Sequence, residues 1–564
     1  MRPTPTHVRP ETAASASDSL SSARAALVRG AWDEARVQLL ASIAERETPE
    51  ALEDLGLAAW WLDDAALTFD ARERAYALYR EREDALGAAR VAVWLVWDCL
   101  AFRGDFAVAS GWLERARRLL EGHEGTAEYG WLLLREGEVA LFRGHDPGAA
   151  IGIAARAASL GRARRDRGIE FTALALEGLA RVSTGDVDAG LRCLDEAAIA
   201  ATAGEVKELH AIGVVCCWQI FACERVRDYD RAAQWCARVE EFTRRWRLHP
   251  LSAVCRTQYA GVLIWRGNWA EAEAELAGAT RDLEQSRPAM TAPSVARLGF
   301  LRLRQGRLDE AGRLFEQSAG SAQAQLGRAE LALERGDATE AAAQLEVVLN
   351  RVGKTASTER AAALELMVRA QARRDDAAAV ASYFTELNAI ATAVGTAPYL
   401  ASSAVAEGIL LRLRGETADA IGRFERAVEL FQQNGAPFET ARARLQLADA
   451  LAALGRKDAA DREARLALEI FESLGAGHEM ERARRTLRAG NARRAESGPG
   501  AEALTPRQIE ILRFVAKGLS NSDIASRLGL SEHTVKRHVA NLLTRLDLSS
   551  RAAAAVYAAR EGLL

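Results

Sequence analysis

The sequence predicts an all-α protein: a superhelix of helical hairpins followed by a small C-terminal four-helix domain. Three observations lead there. A glycine recurs with a period near forty residues, with a small residue five positions on and an apolar residue nine positions on. No β-rich stretch interrupts the series. Residues 504–564 then hold three short amphipathic segments separated by tight turns.

Length and composition bound the organisation. A chain of 564 residues is too long for one core. Its 49% hydrophobic content is that of a globular protein, and the absence of an apolar run of eighteen residues predicts no membrane span. Residues 1–18 lack the apolar segment of a secretory signal and read as a disordered leader. The seven cysteines are odd in number and show no CxxC pair, so they read as reduced thiols in a cytoplasmic protein and not as a metal or redox centre.

The repeat can be followed residue by residue. Gly30 leads to Ala35 and Leu39, Gly104 to Ala109 and Leu113, and Gly185 to Gly190 and Leu194. Gly267, Gly306 and Gly336 lead to Ala272, Ala311 and Ala341, then to Leu276, Phe315 and Leu345. Gly415 and Gly455 continue with Ala420 and Phe424, and with Ala460 and Ala464. Positions near Gly144, Arg227 and Asp375 fill the gaps imperfectly, and Ala51 to Arg90 fits poorly enough to predict an irregular or capping element. Glycine allows a tight turn, small residues let two helices approach, and the larger residue fills the groove to the next pair. The pattern resembles tetratricopeptide (TPR) repeats over residues 19–488, which implies architecture but no particular ligand. Residues 489–503, rich in Gly, Pro, Ser and charge, read as a flexible linker.

The C-terminal segment is explicit. Thr505, Pro506 and Gln508 start a helix with a capping box, Ile509, Leu512, Val515 and Ala516 give its apolar face, and Gly518 ends it. Ser520 with Asp523 starts a second helix whose core face is Ile524, Ala525 and Leu528, closed by Gly529. Ser531 caps a third, which buries Val535, Val539, Leu542, Leu543 and Leu546. The short turn between the second and third is that of a helix-turn-helix, whose second helix enters the DNA major groove. Residues 504–564 carry nine Lys/Arg and five Asp/Glu, a net +4 in a chain of net −4, so the remainder carries −8.

This run, LTPRQIEIL, LSNSDIASRLGLSEHTVKRHV and LDLSSR, resembles the LuxR-type DNA-binding domain. The resemblance implies that Lys536 and Arg537 face the groove and read bases, with Asn541 as a further base contact. Ser520, Asn521, Ser531, Thr534, His538 and Arg551 are candidate phosphate contacts. It also implies that Glu510 is structural, and that the helix from Arg551 to Arg560 pairs two copies on a two-fold site. Ala540 and Asp547 depart from the pattern, which thins the expected base readout and alters the turn before Leu548. The implied protein is a cytoplasmic, nucleoid-associated bacterial transcription regulator, a homodimer on promoter DNA with RNA polymerase as a candidate partner. Its repeats receive a protein or small-molecule effector. The alternative is an interaction scaffold with secondary DNA binding.

The remaining signals are weaker. All twelve tryptophans precede residue 270, and Trp60, Trp61, Trp94 and Trp97 are candidates for an aromatic ligand groove as against core packing. Gly353-Lys354-Thr355 imitates the end of a phosphate-binding loop, but Val348 stands where the first glycine belongs. Neither an ATPase module nor a phosphorylatable receiver domain is recognisable, and no catalytic motif, cofactor site or metal site stands out, so an enzyme is not expected.

Overall fold

Twelve antiparallel helical hairpins follow one another, from Ala16–Val28 with Trp32–Glu45 to Pro437–Ala453 with Lys457–Leu474. The computed structural model describes residues 16–246, 249–355, 357–496, 504–546, 548, 550–560 and 562–563. The chain divides into two compact units, Met1–Arg484 and Arg485–Leu564. No strand occurs among the described residues, and Gly353-Lys354-Thr355 lies in an exposed helix–helix connection.

The expected glycines make the hairpin turns. Gly30, Gly104, Gly185, Gly267, Gly306, Gly336, Gly415 and Gly455 all sit between the two helices of a pair with φ between 69° and 94°. The small and apolar positions that follow them are buried: Ala35, Leu39, Ala272, Leu276, Ala311 and Phe315 are each 0% exposed. Close approach decides one of these positions outright. A Cβ on Gly190 would lie 2.6 Å from the Gly178 carbonyl, and one on Gly178 would lie 2.7 Å from the Gly190 carbonyl.

The gaps in the glycine series are the same turn made with other residues. Asp63, His145, Arg227 and Asp375 occupy the left-handed region at φ 57°, 48°, 57° and 57°. Each is followed by an aspartate that caps the second helix. Asp64 accepts from the Leu67 amide at 3.0 Å, Asp146 from Ala149 at 2.9 Å, Asp228 from Arg231 at 3.1 Å and Asp376 from Ala379 at 2.9 Å. A non-glycine left-handed residue costs roughly 1–2 kcal/mol and such a cap returns about 1 kcal/mol, so the cap offsets most of the strain. Ala51 to Arg90 is therefore regular, not irregular: Pro49–Trp61, Ala65–Glu81 and Ala85–Asp98 continue the series through turns at Asp63 and Glu83.

Successive turns of the superhelix meet end to end. The last carbonyls of a first helix receive donors from the start of a first helix 170 to 176 residues later. Thr358 donates to Val182 O at 3.1 Å, Thr396 to Val226 O at 2.7 Å, Tyr399 to Arg225 O at 2.8 Å and the Gly477 amide to Gln305 O at 3.2 Å. Charges follow the same polarity: Arg225 pairs with Glu359 at 2.9 Å and Arg227 with Glu365 at 2.7 Å. Carbonyl ends thus face amide ends, and cations at C-termini face acids at N-termini. Arg287 closes the N-terminal part. It is buried, pairs with Asp63 at 2.8 Å, donates to Trp60 O at 3.0 Å and lies 3.9 Å over the Trp60 ring.

Two boundary expectations are corrected. The first helix begins at Ala16, inside the expected leader, because the Ala/Ser run there continues the helix that buries Ala23 and Ala26. The last repeat helix, Gly477–Glu496, runs through the first half of the expected linker, since Ala and Arg at 489–496 favour helix. Residues 497–503 lie outside the described residues. By length and composition alone, Ala85–Arg103 and Ala377–Val394 are apolar enough to cross a membrane. The first is 67% buried within the repeat unit, and both pair with neighbouring helices of their hairpins.

Two outcomes test this account. Arg287→Ala will lower the urea midpoint of the repeat unit by about 3–5 kcal/mol equivalent, because it removes a buried guanidinium that holds both the Asp63 carboxylate and the Trp60 carbonyl. Asp375→Gly will be neutral or stabilising. Gly415→Asp, whose next residue Glu416 makes no cap, will destabilise by about 1–2 kcal/mol, as read by thermal unfolding.

Candidate nucleic-acid interface

The C-terminal unit builds its helices as the capping pattern requires. Thr505 and Gln508 form a capping box on Pro506–Ala516, and Ser520 and Asp523 form one on Asn521–Leu528. Gly518 and Gly529 take the left-handed turns at φ 77° and 63°. The third helix, Glu532–Arg545, and the fourth, Arg551–Arg560, complete the set. One core holds them together: Ile511, Leu512, Val515, Ile524, Ala525, Val535, Val539, Leu542, Ala554 and Ala558 are buried. Ile511, absent from the expected face, points inward; Ile509 and Ala516 are only half-buried.

Burying Val535, Val539 and Leu542 dictates what the third helix presents. Lys536, Arg537, Ala540 and Asn541 are exposed on its opposite side, with His533 on the same flank and His538 half-buried. Neither Lys536 nor Arg537 has a carboxylate partner among the described residues. Two cations and a carboxamide thus stand free one turn apart, at the spacing needed to meet successive base edges. Ala540 leaves the stretch between them without a polar side chain. Asp547 lies outside the described residues.

The candidate phosphate contacts divide into two groups. Ser531 caps the third helix, accepting from the Thr534 amide at 3.2 Å, and its hydroxyl meets that of Thr534 at 2.8 Å. Ser520 accepts from the Asp523 amide at 3.2 Å while its hydroxyl donates to the Asp523 carboxylate at 2.6 Å. That bond leads the interactions that hold Asp523 below the usual carboxylate range. Asn521 and Arg551 are turned toward each other. Arg551 is half-buried and donates to Asn521 Oδ1 at 2.8 Å and to the Leu519 carbonyl. Its first role is therefore to clamp the fourth helix to the turn before the second. Sequence reasoning placed Arg551 on backbone because it matched a motif, and the motif does not say where the guanidinium points.

Glu510, structural by that resemblance, is held by a residue to which the sequence assigned no role. Arg507 pairs with Glu510 at 2.7 Å and donates to the Leu528 carbonyl at 2.8 Å, tying the first helix to the end of the second. This fixes the angle from which the third helix departs.

The four tryptophans do not form a groove. Trp60 and Trp61 are 2% and 4% exposed, and Trp61 stacks on Trp32 at 5.5 Å. Trp94 and Trp97 are half-buried and close on His210 at 4.8 and 5.3 Å, with Arg72 and Arg135 over their outer faces. Burial, then the cations Arg135, Arg72 and Arg287, holds His210 far below the ordinary imidazole value, so it packs as a neutral ring. Burial likewise pushes the Cys216 and Cys223 thiols up and Cys236 to about 12, which suits small apolar core residues.

Residues 502–558 match the model of bacterial regulatory proteins of the luxR family. The C-terminal unit carries a LuxR-type helix-turn-helix domain. Two relatives share shorter stretches with this chain. The chain is 39% identical over 103 residues to the transcriptional regulatory protein LiaR of Bacillus subtilis (strain 168), covering 17% of this chain and 49% of LiaR. It is 44% identical over 63 residues to the response regulator protein VraR of Staphylococcus aureus (strain NCTC 8325 / PS 47), covering 11% of this chain and 30% of VraR. The chain thus spans about half of LiaR and less of VraR. The repeat region aligns with Cut9-Hcn1 from the APC/C hetero-tetramer at TM-score 0.45 and 14% identity, over 85% of this chain and 96% of that one. Yeast Tom70 aligns at TM-score 0.33 and 14% identity, over 78% and 96%. The TPR-like assignment rests on the hairpin turns and their buried small residues.

Arg551→Ala will loosen the LuxR-type unit. Amide exchange across 504–530 will accelerate by about 5–100-fold, the equivalent of one charged hydrogen-bonded clamp. Exchange in 16–474 will stay as in the wild type.

Proposed function

We propose that this protein is a sequence-specific, DNA-binding transcription regulator whose TPR-like repeats receive a signal. The observation that carries the reading is the free face of the third helix, where Lys536 and Arg537 stand exposed and without carboxylate partners on a helix seated by Val535, Val539 and Leu542. Arg and Lys suit guanine O6 and N7, and Asn541 suits adenine N6 and N7. Ser520, Ser531 and Thr534 lie at the two helix N-termini, where phosphate is favoured, and His538 lies further along the third helix.

The fourth helix supports a homodimer on DNA. Val556 is 68% exposed, and Ala552 and Ala559 lie on the same side, so an apolar strip faces solvent. The partners proposed are promoter DNA, a second copy of the chain, RNA polymerase and an effector of the repeats, all in the cytoplasm. No catalytic step is proposed.

Lys536→Ala and Arg537→Ala will each weaken binding to the cognate promoter by about 10–150-fold, measured by gel shift at fixed salt. Substitution of Ala540 by Gln will change which bases are preferred more than it changes affinity for bulk DNA. Wild-type binding by both single alanine variants would remove the third helix as the reader.

A further inference from the structure

The first helices of seven successive hairpins, from Leu209–Arg225 to Pro437–Ala453, enclose a cavity of about 520 Å³. Eight arginines and four glutamates line it. Most of the arginines already hold carboxylates. Arg297 pairs with Glu224 at 2.6 Å, Arg304 with Glu439 at 2.6 Å, and Arg369 with Glu330 at 2.9 Å and Glu334 at 2.6 Å. Arg227 holds Glu365, and Arg442 and Arg482 share Glu479 at 3.5 and 3.6 Å.

Two guanidiniums are left over. Arg373 has no carboxylate within 4 Å among the described residues and donates to the Leu333 carbonyl. The Arg412 guanidinium, half-buried in the wall, makes no ion pair or hydrogen bond among the described residues. Even with Glu334 and Glu479 counted behind the wall, eight arginines face six carboxylates. Burial, then the neighbouring Arg369, holds the Arg442 guanidinium below its ordinary value, as crowded cations in a closed space should. Among the described residues, the wall atoms Arg297 Nε, Arg304 Nη1, Glu439 Oε2 and Gln446 Oε1 are buried without a hydrogen-bond partner.

The wall also has an aromatic side. Tyr229 stacks on Trp265 at 4.7 Å, and Phe431 meets Trp265 edge-on at 6.2 Å. A half-open, partly apolar volume of this size suits a small molecule and is too small for a folded partner. Excess guanidinium groups select planar oxyanions, which they bind through paired N–H donors.

We propose that this cavity binds a small organic anion, one carboxylate, phosphate or sulfonate group on a ring or apolar body. Arg373 and Arg412 supply the uncompensated positive charge, and Trp265 and Phe431 supply the apolar wall. The inference rests on the reading of the repeats as the signal-receiving part and gives that signal a chemistry.

The test uses the full chain and two probes of one shape. 8-Anilinonaphthalene-1-sulfonate carries the acid group; N-phenyl-1-naphthylamine lacks it. The sulfonate will bind at one site per chain and quench tryptophan emission, less so in Trp265→Phe, while the uncharged probe binds at least tenfold more weakly. Arg412→Gln, at a partly exposed side chain with no partner to lose, will weaken the sulfonate roughly tenfold and leave the uncharged probe unchanged. Arg373→Gln will act in the same direction, and Arg456→Gln, exposed in a turn outside the cavity, will have no effect. Equal binding of the two probes would overturn the proposal. So would wild-type affinity for the sulfonate in both Arg412→Gln and Arg373→Gln, given unchanged melting temperatures. Gel shifts on the same preparations separate the readings. Loss of probe binding selectivity with DNA binding intact sinks the cavity alone, whereas selective probe binding without DNA binding sinks the regulator and leaves the cavity.

Discussion

The repeat unit depends on helix ends meeting helix ends. A left-handed residue stops each first helix and leaves its last carbonyls pointing outward, where they need donors. The next superhelical turn supplies them from the opening residues of its own first helices: Thr358, Thr396, Tyr399 and Gly477. The match holds in chemistry as well as position, since Arg225 and Arg227 stand at the carbonyl ends and Glu359 and Glu365 near the amide ends. An open stack of hairpins would leave these groups to water. Here they set the pitch, and the pitch determines which first helices face one another across the arginine-lined cavity.

The same rule governs the small C-terminal unit on a shorter scale. Arg507 reaches the Leu528 carbonyl and Arg551 reaches the Leu519 carbonyl, so two arginines satisfy the exposed backbone of two turns. With both turns held, the third helix keeps Lys536, Arg537 and Asn541 exposed on its outer face.

Much of this was legible in the sequence, for identifiable reasons. Local rules wrote themselves plainly: the capping boxes at Thr505 and Ser520, the turn glycines, and the small and apolar residues at fixed offsets all sit where spacing put them. The turns near Gly144, Arg227 and Asp375 were legible only as imperfect repeats and the one at Asp63 not at all, because a glycine period does not register a left-handed residue supported by the aspartate after it. Trp60 and Trp61 misled because adjacent tryptophans suggest one exposed face. Both are buried, since a first helix packs on its partner with one side and on the next pair with another. The cavity was illegible: its arginines come from helices spread over some 250 residues, and only the superhelical pitch brings them together. Arg551 shows the limit of a motif, which carries residue identity but not side-chain direction.

The central claim is that a LuxR-type unit reads DNA sequence from the free face of its third helix. Selection of the full-length protein on a random duplex pool, followed by sequencing, tests it most directly. The account predicts enrichment of a two-fold-related motif with short G- or A-containing half-sites about one helical turn apart. Recovery of DNA with no enriched motif, at salt where binding persists, would contradict it.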